Sequence, residues 1–128
     1  MTAPARFKDL CLDARDHQSQ ADWWCAALGY VRRDDLEPDG DPRPADWPVP
    51  IVDRAGEGPL IWIVPVPEPK ILKNRMHVDV VGDTEALIAA GARLVRRRDP
   101  VPTPDGIEWD VLADPEGNEF CVFSPEEG

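Results

Sequence analysis

Two side chains in this sequence are of types that metal and proton-transfer sites use. His77 lies in "KNRMHVDV", residues 73–80, and Cys121 lies in "DPEGNEFCVF", residues 114–123. An imidazole titrates near neutral pH and binds metals through a neutral nitrogen. A cysteine binds them through its thiolate. Both stretches alternate as half-buried strands do, so His77, Asp79 and Val81 share one strand face, opposite Val78 and Val80. Glu119 and Cys121 share a face in the same way. If the two strands are neighbours, His77 meets Cys121, either as chemistry or as packing. On the packing reading, Cys121 is a small buried hydrophobe and the His77 N–H is satisfied by a hydrogen bond to Asp9 or Asp79. Glu119, beside a hairpin turn, reads as solvated, and His17, beside a helix cap, reads as surface.

The elements that must position these groups repeat. "FKDLCLDA", residues 7–14, alternates with Leu10 and Leu12 on one face and Asp9, Cys11 and Asp13 on the other. A helix follows, capped by Asp16, with Ala21, Trp24, Cys25 and Leu28 as its apolar stripe and Gly29 as its left-handed stop. The chain returns as "YVRRD". From residue 76 the order recurs: "MHVDVV", a cap at Asp83 or Thr84, "EALIAAG", then "ARLVRRRD". Extended pieces near 49–53 and 59–66, and near 107–112 and 118–124, make each half βαβββ. In "DPEGN", Pro115 presets a turn and Gly117 supplies a positive φ.

The sequence predicts one domain over residues 1–128. It consists of a first module over about 5–66, a Pro-rich linker over about 65–74 and a second module over about 75–125, because neither half alone has enough core. Residues 36–50 hold five prolines and read as a surface loop, with Trp47 anchoring it to the body or closing a lid. Trp23, Trp24 and Trp109 read as core.

Acids outnumber bases 25 to 14, giving a formal net charge of -11. That balance excludes nucleic acid and anionic membrane as partners. The three cysteines lack metal-ribbon spacing and suit a reducing compartment. The first residues carry no apolar run, so a cytoplasmic protein is expected.

"DPEGNEF", the "ALGY" helix ending and "PVPEPKILKNRMHVDV" resemble the glyoxalase, bleomycin-resistance and extradiol-dioxygenase superfamily, the vicinal oxygen chelate proteins, and within it the glyoxalase-like subgroup. The resemblance spans nearly the whole chain. It implies an α+β fold in which two βαβββ modules pair into a curved mixed sheet around a cup, with helices outside. Metal enzymes of the family place one ligand on the first and one on the last strand of each module. Those positions fall near Asp9 and Val64, and at His77 and Cys121. Valine cannot coordinate, and Cys121 stands where a glutamate is expected. Asp9, His77 and Cys121 remain as candidate metal ligands, suited to zinc with an open fourth position.

A single histidine, a thiol that must lose its proton, and an apolar wall of Trp62 and Val64 weigh against a metal. No cofactor is therefore expected, with a divalent metal as the exception. Asp9, Cys11, Trp62, Val64, His77, Asp79 and Cys121 are expected to line the cup. Lys70, Lys73, Asn74 and Arg75 are expected to pair with acidic surface rather than hold an anionic ligand. One scaffold hosts many chemistries, so three functions stand open. The first is binding of a small apolar or aromatic molecule. The second is a metal-dependent glyoxalase-type lyase or isomerase, and the third a non-catalytic interaction module with a collapsed cup. A small-molecule ligand is the expected partner, and a homodimer is an option.

Overall fold

The "LCLDA" alternation folds as strand β1 (Leu10–Ala14), burying Ala14 and half-burying Leu10 and Leu12 while Cys11 and Asp13 stay exposed. In this computed structural model, which describes residues 3–125, β1 begins at Leu10 rather than Phe7. Its partner strand starts at Ile61, so earlier residues have no ladder to join. Helix α1 (His17–Leu28) is capped as its sequence requires: Asp16 Oδ1 accepts from the Ser19 N–H at 3.1 Å, and Gly29 stops it at φ 72°. Only glycine adopts that left-handed conformation without steric cost. Ala21 and Trp24 are buried, and Trp23 meets Trp24 edge-on at 4.9 Å.

The chain continues through β2 (Tyr30–Arg32), a 3-10 turn (Arg33–Leu36), β3 (Val49–Asp53) and β4 (Ile61–Pro65). The strand order is β1-β4-β3-β2, parallel between β1 and β4 and antiparallel elsewhere. Val49, Ile51, Ile61 and Ile63 complete the core of this unit, which spans Met1–Pro69.

The second unit, Lys70–Gly128, repeats the plan. It contains β5 (Asp79–Val81), α2 (Thr84–Ala89), β6 (Arg93–Arg96), β7 (Asp110–Ala113) and β8 (Glu119–Phe123). The strand order is β5-β8-β7-β6, with β5 parallel to β8. Leu112, Ala113, Phe120 and Val122 form its core. Each unit is thus βαβββ with the same topology.

Two buried carboxylates that the sequence reading passed over brace this second unit. Asp110 accepts from the Thr84 hydroxyl at 2.5 Å and the Arg98 backbone N–H at 2.8 Å, and pairs with the Arg98 guanidinium at 3.3 Å. Burial pushes its carboxyl pKa up, but those three donors together bring it below the ordinary aspartate value. Asp114 shapes the β7–β8 hairpin, its Oδ1 accepting from the N–H groups of Glu116 and Asn118 at 3.0 and 2.9 Å while Gly117 takes φ 91°.

The loop over residues 37–48 is anchored differently from the expectation. Trp47 is 53% exposed, and the ties come from α1 and the 3-10 turn. His17, expected at the surface, is buried, and its Nε2–H donates to the Ala45 carbonyl at 3.0 Å, joined there by the Gln18 amide at 3.0 Å. Arg43 forks onto Asp34 at 2.6 and 3.2 Å. Among the described residues no helix is long and apolar enough to cross a membrane.

Candidate functional site

In the first unit the parallel register sets Cys11 beside Trp62 and Asp13 beside Val64. Strand alternation puts these residues, with Asp9, on the sheet face opposite half-buried Leu12 and buried Ala14, Ile61 and Ile63. The Trp62 indole N–H donates to Asp9 Oδ2 at 3.2 Å, and the Lys8 ammonium reaches the same oxygen at 2.6 Å. These bonds fix the indole and give Asp9 partners within its own unit.

The wall around Trp62 is more polar than expected. The guanidinium carbons of Arg33 and Arg43 sit over its ring, 5.0 and 5.7 Å from the centroid. Sequence reasoning missed both arginines, because they reach the ring from the 3-10 turn and the Pro-rich loop rather than from a strand.

In the second unit His77 and Cys121 do meet. Cys121 Sγ lies 3.7 Å from His77 Nδ1, and Asp79 Oδ1 lies 3.6 Å from the same nitrogen. The register that achieves this pairs Asp79 with Cys121, continued by a Cys121 N–H bond to the Val78 carbonyl at 2.9 Å. His77 itself precedes β5 rather than lying in it, since the ladder starts at Asp79. One ligand atom from each of His77, Asp79 and Cys121 falls within 4.8 Å of the others. Asp79, expected as a pocket residue and a hydrogen-bond partner of His77 but not among the candidate ligands, thus supplies a third donor atom beside the other two.

Nitrogen, oxygen and sulfur donors from three residues are the composition of a zinc site that leaves one position open. Burial raises the Cys121 thiol pKa, and the Asp79 charge and its hydrogen bond raise it further, so without a metal the group is a thiol at neutral pH. A divalent ion held by His77, Asp79 and Cys121 would displace that proton on binding; without one the triad is a hydrogen-bonded cluster.

Glu119 departs most clearly from expectation. Its side chain is only 17% exposed and pairs with Lys70 at 2.9 Å, while Oε2 accepts from the Asn74 backbone N–H at 3.0 Å. Burial would raise its pKa, yet the Asn74 and Lys70 bonds outweigh it and hold the carboxyl at about 2. Lys70 and Asn74 therefore pin the segment before β5 onto β8, close to Cys121.

The family model described as "Glyoxalase-like domain" matches residues 9–123. No curated protein matches. A glyoxalase/bleomycin resistance protein/dioxygenase family enzyme from Burkholderia phytofirmans PsJN superimposes with a TM-score of 0.61 at 19% identity, covering 94% of this chain and 98% of that one. TnmS3, an antibiotic binding protein from Streptomyces sp. CB03234, gives 0.54 at 14% identity, covering 98% and 99%. TioX from Micromonospora sp. ML1 gives 0.54 at 15% identity, covering 92% and 97%. At these identities the likeness shows the fold.

Proposed function

Because the chain belongs to the glyoxalase-like domain family, we propose that it binds a small apolar or aromatic molecule without a resident metal. In the first unit the sheet face that carries Asp9, Cys11, Trp62 and Val64 offers such contacts, and in the second unit His77, Asp79 and Cys121 offer their own. The carrying observation is Trp62, a half-buried indole held by Asp9 and topped by Arg33 and Arg43 on the sheet face opposite the core, where a large flat side chain is not needed for packing. A neighbour of the same fold is an antibiotic binding protein, which supports this use of the scaffold. The proposal takes residues 1–128 as one working domain in the cytoplasm, as a monomer or a homodimer, a choice that sedimentation decides.

The test is calorimetric titration of small planar aromatics into the wild type, Trp62→Ala and His77→Ala. A compound that binds the wild type and is weakened by Trp62→Ala or by His77→Ala supports the reading. Affinity untouched by either substitution refutes it. The donor cluster favours a second reading, metal-assisted lyase or isomerase chemistry, because three ligand atoms already lie within 4.8 Å of one another. Elemental analysis near one divalent ion per chain, lost in His77→Ala, would decide for that reading, whereas a metal-free protein whose aromatic binding ignores added zinc decides for the first.

A further inference from the structure

Arg33 is a cation in ion-pair contact with no carboxylate among the described residues, in a chain that has acids to spare. Its guanidinium lies over Trp62, 5.0 Å from the ring centroid, and makes no hydrogen bond and no ion pair among the described residues. Its neighbours behave otherwise. Arg32 bonds to Asp22 at 2.8 Å and to Gln18 at 2.7 Å, and Arg43 forks onto Asp34. Acids outnumber bases 25 to 14, and Asp34 and Asp35 follow Arg33 directly, yet Arg33 pairs with neither. The residue is only half-buried, so water can reach its donors, but its position is set by the indole beneath it.

A guanidinium resting on an aromatic face keeps a planar fork of N–H donors whose geometry matches a carboxylate. Arg43, already neutralised by Asp34, covers the same ring and cannot offer that fork. From this contrast we infer that Arg33 is an anion-recognition group, and that the ligand is an aromatic acid. Its carboxylate pairs with the Arg33 guanidinium, and its apolar body lies along the face that carries Trp62 and Val64. The inference rests on the small-molecule reading above and narrows it to one ligand charge. It also explains how a protein of net charge -11 would hold an anion, through one local cation that makes no ion pair among the described residues, although its charge still reaches Asp34.

The experiment compares two probes of equal size, 2-naphthoate and the neutral 2-naphthalenemethanol, by calorimetry against the wild type, Arg33→Gln and Arg33→Lys. One charge-assisted bidentate contact predicts that the wild type prefers naphthoate by about tenfold or more, falling with added salt. Arg33→Gln should lose that preference, read as the ratio of the two affinities within each variant, and Arg33→Lys should keep part of it. Equal affinity of the wild type for both probes overturns the inference and leaves the binding reading standing, as does a preference that survives Arg33→Gln. Absence of binding by either probe at millimolar concentration overturns both. Arg33 is a half-buried turn residue outside the core, and matching circular dichroism spectra of the variants confirm that loss of binding is not loss of fold.

Discussion

Replacing Glu119 by glutamine should make the protein less stable at neutral pH and less sensitive to acid. The carboxyl pKa falls from an ordinary 4.5 to about 2 because of contacts that exist only in the folded chain, chiefly the Asn74 N–H and the Lys70 ammonium. A tenfold change in proton affinity corresponds to roughly 1.4 kcal/mol, so the full difference is on the order of 3 kcal/mol. Solvent reaching a side chain that is 17% exposed reduces this to about 1–2 kcal/mol. The folded pKa is the lower one, so the stabilisation is complete above the unfolded value and is lost as pH falls from 4.5 toward 2.

Urea denaturation of wild type and Glu119→Gln at a series of pH values measures this directly. At pH 7 the variant should be weaker by about 1–2 kcal/mol, and the two curves should converge as pH drops through that window. Asp110, whose carboxyl is also held low, loses its contribution in both proteins alike, so the difference isolates Glu119. Parallel curves with a constant gap would show that the glutamate acts by shape rather than charge and would refute the reasoning.

Two further outcomes test the second unit. Thr84→Val removes the 2.5 Å bond to buried Asp110 and should cost about 1–3 kcal/mol in the same assay, whereas a loss under about 0.5 kcal/mol would mean that Arg98 alone satisfies the carboxylate. Alkylation with iodoacetamide at neutral pH, followed by peptide mass spectrometry, should modify exposed Cys11 first and buried Cys121 last, with Cys121 accelerating as pH rises; equal rates would contradict both its burial and its raised pKa.

What the sequence made legible was local grammar. The alternation around Leu10–Leu12, the Asp16 cap, the Gly29 stop and the "DPEGN" turn depend on residues a few positions apart, and the structure places each as read. The meeting of His77 with Cys121 was also readable, because strand parity fixes which side chains share a face. The misreadings are long-range. Glu119 looked solvated because its partners Lys70 and Asn74 stand 49 and 45 positions away. His17 looked exposed because nothing near it announces the carbonyl of Ala45. Arg33 and Arg43 carried no signal at all, since only folding brings the turn and the Pro-rich loop over Trp62.

The returning segments "YVRRD" and "ARLVRRRD" gain a role from their position as β2 and β6, each the outermost strand of its own sheet. An outermost strand offers unpaired N–H and C=O groups to any passing chain, and a flat apolar one invites strand-by-strand polymerisation. Here the border carries guanidinium groups: Arg32 tied back to Asp22, Arg96 to Asp99 and Arg97 to Glu85. A foreign strand would have to break these ion pairs, Arg97 standing one residue past the end of β6, before it could add to the sheet, so strand addition carries an electrostatic cost at the returning strand of both halves.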